Sequence, residues 1–338
     1  MSRIGLLLRR RRTTYAPDFS TPNNLGRRRA PVLAAVLAVA LLVVAVTGGN
    51  GMEQPAAGSS SSPEPSYSGP SHPAPGGSWS TIYREDFETP VAEGGFANHS
   101  ADNWELVDGM PYTRSLRSYP DGWATTHDLS LNFASRTASV VSEAMGAHGV
   151  FQLRAHSAEI DGRTRALGGS FTPVIRPDAS TGKLQVAQTY GRYTVRFRTV
   201  GGYRSGTDPA AGAGYGTAFL LWPASDKWAE GEIDFPEMPW GGRIAGFVHT
   251  IGKPSITSTE FRAQTTTEEG WNVATTEWTP GLLRFFLNGE EIARTTSDVP
   301  STPFRWGFQS GGMLSTPPAD VTGYLYVDSI LIEAYRPS

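Results

Sequence analysis

The chain has 338 residues, with 29 Lys and Arg against 32 Asp and Glu. Its first 48 residues hold eight arginines and a single acid, Asp18, so the remainder carries 21 basic and 31 acidic residues, about −10, and is poorly suited to gripping nucleic-acid phosphates. With no cysteine, disulfide frameworks, thiolate metal sites, cysteine nucleophiles and a lipoprotein anchor are excluded, and 38 Gly, 25 Pro and 9 Trp point away from a helical bundle.

Residues 1–29 form a polar, Arg-rich leader without periodicity. Residues 30–46 follow, seventeen in a row without a charge, built from Ala, Val and Leu. An all-apolar helix behind a basic flank is what export machinery reads. The stretch is short for a ~30 Å hydrocarbon core, and long for the apolar part of a signal peptide. Segment 30–47 is therefore expected to be a signal anchor or a signal-peptide helix. Either way the arginines stay inside, and everything after Gly48 is exported, to be held at the cell surface or secreted.

Residues 48–78 are a Pro/Ser/Gly tract that cannot bury enough apolar surface to order itself, and are expected to form a disordered linker. Residues 79–338 change character. Arg192 to Arg198 alternates strictly, with Tyr193, Val195 and Phe197 on one face, which predicts a half-buried antiparallel strand. Leu283–Leu287, Asn288-Gly289 and Glu290–Ala293 predict a hairpin, because Asn-Gly supplies the two positive-φ residues of a type I′ turn. Val150–Ala155, Thr217–Trp222, Ile244–Thr250 and Tyr324–Ile332 read as further strands. No amphipathic helix of three turns is found. The expected fold is all-β, a single two-sheet sandwich.

Phosphate-loop, nucleophile-elbow, zincin and EF-hand patterns are absent, and the six histidines (72, 99, 127, 148, 156 and 249) show no metal-ligand spacing. The segment Trp228–Trp240 stands out, with Glu230, Glu232, Asp234 and Glu237 among apolar residues. On a strand Glu232 and Asp234 share a face, and Ile233 and Phe235 share the other. Glu237 is out of phase by one residue, and a β-bulge at Phe235-Pro236 restores it to the Glu232 face. Two inward-leaning glutamates can then approach a carboxyl separation of ~5–5.5 Å, the spacing of a retaining glycosidase, with Asp234 raising the pKa of its neighbours. An acidic edge strand or a calcium loop accounts for the same acids. Trp222, Trp228 and Trp240 are suited either to stacking on sugar rings or to filling a core.

Residues 79–338 resemble glycoside hydrolase family 16, the laminarinase/lichenase-like jelly rolls. The resemblance rests on Glu232-Ile233-Asp234-Phe235-Pro236-Glu237, on the upstream runs Tyr190–Arg196 and Phe219–Pro223, on the hairpin from Trp278-Thr279-Pro280 to Asn288-Gly289, and on Tyr326–Ile332 as the last strand. It implies a concanavalin A-like jelly roll and an endo-acting β-glycan hydrolase on β-1,3- or mixed-linkage glucan or a related polysaccharide. A cell-envelope transglycosylase and a non-catalytic glycan-binding module share that fold. It also implies Glu232 as nucleophile, Asp234 as assisting acid and Glu237 as general acid/base. His249 resembles a histidine that several subfamilies keep beside the acid/base, or is a satisfied edge histidine. Trp123, in Tyr119–Trp123, and Gln309 join the three tryptophans as implied sugar contacts. A structural Ca²⁺ is implied on the convex side at Asp328 and Gly149, with carbonyls near Asp86–Glu88. The chemistry itself needs no cofactor. The expected partner is a polysaccharide acted on by a monomer, with a membrane contact only through 30–47 if that helix is uncleaved. The glycine-rich turn Ala210–Gly216 departs from the family's short entry to the Trp222 strand.

Overall fold

The computed structural model describes residues 72–96, 115–124, 130–177, 184–204, 214–253, 258–266, 270–313 and 315–338. The leader, the apolar segment 30–47 and linker residues 48–71 lie outside these, as do Ala210–Ala213 of the glycine-rich turn. Among the described residues no helix is long and apolar enough to cross a membrane.

Alternating sequence becomes alternating burial. In the strand Gly191–Gly201, Tyr193, Val195 and Phe197 point into the core. This strand runs antiparallel between Asn272–Thr279 and Gly323–Pro337. Leu282–Leu287 and Glu290–Thr295 extend the sheet on one side, joined by Asn288 and Gly289 at φ 53° and 85°, as the turn chemistry requires. On the other side the long last strand pairs with Gly77–Glu85 and with Ala147–Ile160, beyond which lies Ala138–Ala144.

The second sheet is centred on Tyr215–Pro223, flanked by Phe304–Gly312 and Ile233–Pro239. Arg243–His249 and Ser258–Thr266 complete one side, Arg163–Pro173 and Leu116–Ser118 the other. Ala147–Ile160 and Arg163–Pro173 form a hairpin that carries hydrogen bonding from the first sheet into the second. The only described helical pieces are Ala134–Thr137 and a 3₁₀ turn at Trp228–Glu230.

Aromatic rings from the two inner faces meet in between. Phe197 packs on Phe219 at 5.4 Å between centroids, Phe235 on Phe285 at 5.5 Å, Trp278 on Phe304 at 5.4 Å and Phe151 on Phe171 at 4.9 Å. Burying such rings supplies most of the sandwich's cohesion and locks the register, because a one-residue slip would turn each ring to solvent. The second sheet's outer face is thereby left to the residues between the rings, and there the acids lie.

Candidate active site

Three local features aim the carboxylates. The 3₁₀ turn ends at Gly231, whose φ of 93° suits glycine and redirects the chain into the strand. Glu232 follows, and its carbonyl accepts a 2.9 Å hydrogen bond from the His249 amide on the next strand. Ile233 and Phe235 then enter the core while Asp234 faces out. The register shows the expected bulge: Leu220 lies opposite Asp234 and Ala218 opposite Glu237, so three steps on one strand match two on its neighbour. The extra residue falls at Phe235-Pro236, whose peptide bond is cis, and the neighbouring strand Arg243–His249 shows the same shift. Glu237 therefore joins the row of Glu232 and Asp234.

His249 closes the row. Its Nε2 lies 2.8 Å from Asp234 Oδ2 and 3.9 Å from Glu232 Oε2. Among the described residues neither Lys nor Arg forms an ion pair with any of the three acids. Burial, then the charges of Asp234 and Glu237, push the Glu232 carboxyl well above its ordinary range, and its hydrogen bond with Asp234 acts in the same direction. Glu237 is pushed well up by burial first, then by Asp234 and by Glu260 two strands away. The row holds protons as a coupled unit, so one member can be protonated while another is ionised.

The tryptophans divide. Trp228 is partly exposed, its ring edge-on to His249 at 5.0 Å and 5.9 Å from Trp222. Trp222 is buried but outside the inter-sheet core, with its indole N–H on Asp226 Oδ1 at 3.0 Å. It lines a depression on the outer face with Tyr119, Thr172, Leu220, Arg305 and Gln309. Trp123 lies beside it, 6.3 Å from Tyr119. Trp240 is different. It is fully buried in the inter-sheet core, donates to Thr217 Oγ1 at 2.7 Å and packs on Tyr215. The bulge explains this: it moves Glu237 out and, by parity, turns Met238 and Trp240 in. Trp240 is a core residue and cannot be a sugar platform.

No family model and no curated protein matches the chain. Solved structures do. SCLam, a non-specific endo-β-1,3(4)-glucanase from family GH16, superposes with a TM-score of 0.54 at 16% identity, covering 79% of this chain and 95% of its own. LamAcat from Zobellia galactanivorans gives 0.52 at 14%, covering 76% and 98%. The endo-β-1,3-glucanase from Pyrococcus furiosus gives 0.52 at 14%, covering 79% and 98%. The chain has the family 16 endo-β-glucanase fold.

In this family 16 fold several cleft residues escaped the sequence reading. Arg305 forms an ion pair with Asp226, which also holds Trp222, so one carboxylate fixes two walls of the depression. Phe247 lies across from Asp234 and stacks on His249 with centroids 6.4 Å apart. Strand parity from His249 places Phe247 on the acid face and could have found it. Nothing local marks Arg305, which is distant in sequence from Asp226.

The oxygens expected to hold calcium are partly together. A Cβ on Gly149, whose φ is +64°, would sit 2.9 Å from the carbonyl oxygens of both Asp86 and Phe87. The Asp328 carboxylate is engaged by Arg196, whose Nη1 is 3.1 Å from Oδ2. A guanidinium on the set's one carboxylate disfavours a cation, so the residues as placed do not fit calcium.

Proposed function

We propose that the chain is an exported, endo-acting β-glycan hydrolase that cleaves β-1,3- or mixed-linkage glucan with retention at the anomeric carbon. The observation that carries this reading is the row Glu232, Asp234, Glu237, returned to one face by the bulge and without a Lys or Arg ion pair among the described residues. The structural neighbours described as β-1,3- and β-1,3(4)-glucanases support the substrate class. The Arg-rich leader and the apolar segment after it support export.

Glu232 attacks C1 as its bond to the glycosidic oxygen breaks, and Glu237 gives that oxygen its proton. Glu237, now ionised, takes a proton from water; the water oxygen attacks C1, and the Glu232 carboxylate leaves. Asp234 and His249 hold the nucleophile's orientation and keep the row's protons available. A raised pKa on Glu237 suits this double role, since that residue must be protonated in one half-reaction and ionised in the other.

The test is NMR of the first products formed from laminarin and mixed-linkage glucan by the chain. β-Configured reducing ends of internal fragments are expected. α-Configured first products, or binding of both glucans without any cleavage, would overturn the reading.

A further inference from the structure

We propose that Glu232, Asp234 and His249 form a binding site for a divalent transition-metal ion of the zinc class, taken up in place of substrate. The geometry is already close to that of such a site. One ligand atom from each residue can be chosen so that all lie within 4.8 Å of one another. The Nε2–Asp234 distance is 2.8 Å and the Nε2–Glu232 distance 3.9 Å. Tetrahedral bonds of about 2.0–2.1 Å put neighbouring donors about 3.3 Å apart, so small side-chain rotations suffice. The backbone holds the set in advance: Glu232 and Asp234 share one strand face, and the Glu232 carbonyl is tied to the His249 amide at 2.9 Å.

Charge points the same way. Three largely buried acids stand together with no Lys or Arg ion-paired to them among the described residues, so the site is short of positive charge. An imidazole with two carboxylates suits zinc, whereas calcium and magnesium favour all-oxygen sets. Three protein ligands leave a fourth position open toward the cleft.

The site is built for reversible rather than permanent occupancy. Nε2 must be unprotonated to bind a metal, which puts the neutral ring's proton on Nδ1. That atom is buried with no hydrogen-bond partner. Metal-ligating histidines normally donate their second N–H to an acceptor, and its loss typically weakens binding 10–100-fold. The expected affinity is therefore well below that of a structural zinc site. Because the ion uses the Glu232 carboxylate, it would compete with the glucan; this kinetic half rests on the hydrolase reading, and the binding half does not.

The experiment titrates zinc chloride into the chelator-treated full chain by calorimetry, with calcium and magnesium chloride as controls. Saturable binding of one zinc ion that His249→Asn and, separately, Asp234→Asn weaken at least 10-fold is expected. Circular dichroism and melting curves confirm that the variants are folded. Absence of saturable zinc binding, equal binding by both folded variants, or equally tight calcium binding would overturn the site. Laminarin hydrolysis should show an apparent KM that rises with zinc at constant kcat and recovers on adding chelator. A fall in kcat alone would place the ion elsewhere. If the chain hydrolyses no glucan yet zinc binds as described, the hydrolase reading fails and the metal site stands.

Discussion

The outer faces of the two sheets carry the same residue types in opposite arrangements. On the Gly191–Gly201 sheet, Arg192 lies against Glu333 and 3.8 Å from Glu277, while Arg284 reaches Glu277 at 3.1 Å and Glu291 at 2.8 Å. Arg294 adds a further bond to Glu291. Residues 72–79 cover this network: the His72 ring stacks on Phe286 at 4.3 Å, its carbonyl accepts from Arg192 at 3.1 Å, and Trp79 lies under the Arg192 guanidinium. On the other sheet Glu232, Asp234 and Glu237 stand beside one another with only a histidine. Burial raises both Glu277 and Glu232, but Arg284 and Arg192 pull Glu277 back, whereas Asp234 and Glu237 push Glu232 further. A buried acid among cations is costly to unpair, and a buried acid among acids keeps its proton to higher pH.

The largest test of that contrast is the exchange of one glutamate on each face. Glu232→Gln should remove glucan turnover while leaving the melting temperature intact or higher. Glu237→Gln should lower kcat on glucan by about 10²–10⁴-fold, and far less on aryl glycosides whose leaving group needs little proton help. Glu277→Gln should leave kcat unaltered. Retained turnover in Glu232→Gln would end the distinction between the faces.

Stability should respond the other way. Glu277→Ala strands Arg192 and Arg284 and is expected to lower unfolding free energy by about 3–5 kcal/mol in a denaturant titration. Trp240→Ala opens a core cavity and should cost about 3–5 kcal/mol, with kcat per folded molecule preserved. A Trp240→Ala protein of unaltered stability and impaired glucan binding would return that residue to the cleft.

A smaller effect concerns pH. The folded-state pKa values of Glu232 and Glu237 are raised above the ordinary 4.5, so the folded protein holds these protons more tightly than the unfolded chain. Their contribution is most favourable below the unfolded value and is lost as pH rises through the folded values. The melting temperature should therefore decline over that window, and Glu232→Gln or Glu237→Gln should flatten the decline. The smallest change expected is Trp228→Ala, which leaves stability almost untouched and raises KM, because that ring is partly exposed beside His249.

Much of this contrast was legible in the sequence, for reasons of parity. Ile233 and Phe235 must share a face, as must Glu232 and Asp234, and Pro236 breaks the ladder where a bulge is needed to recover Glu237. Alternation likewise places Tyr193, Val195 and Phe197 in the core. Trp240 reads as a candidate sugar platform from its nearness to the acids, but the same bulge reverses parity beyond Pro236 and turns that ring inward. Arg305 with Asp226, and Arg192 with Glu333, were invisible because each pair joins segments distant along the chain.

Local chemistry alone determined the all-β architecture, the Asn288-Gly289 turn, the bulged acid strand and the face on which its carboxylates emerge. These depend on side-chain alternation and on backbone dihedral preference, which act over a few residues. Only the tertiary structure decided which tryptophans line the cleft, that Asp328 is engaged by Arg196, and that Glu277, Glu291 and Glu333 of one sheet are paired with arginines while Glu232 and Glu237 of the other are not. Such outcomes are set by which strands become neighbours, and electrostatic and ring contacts act over distances that chain order does not encode.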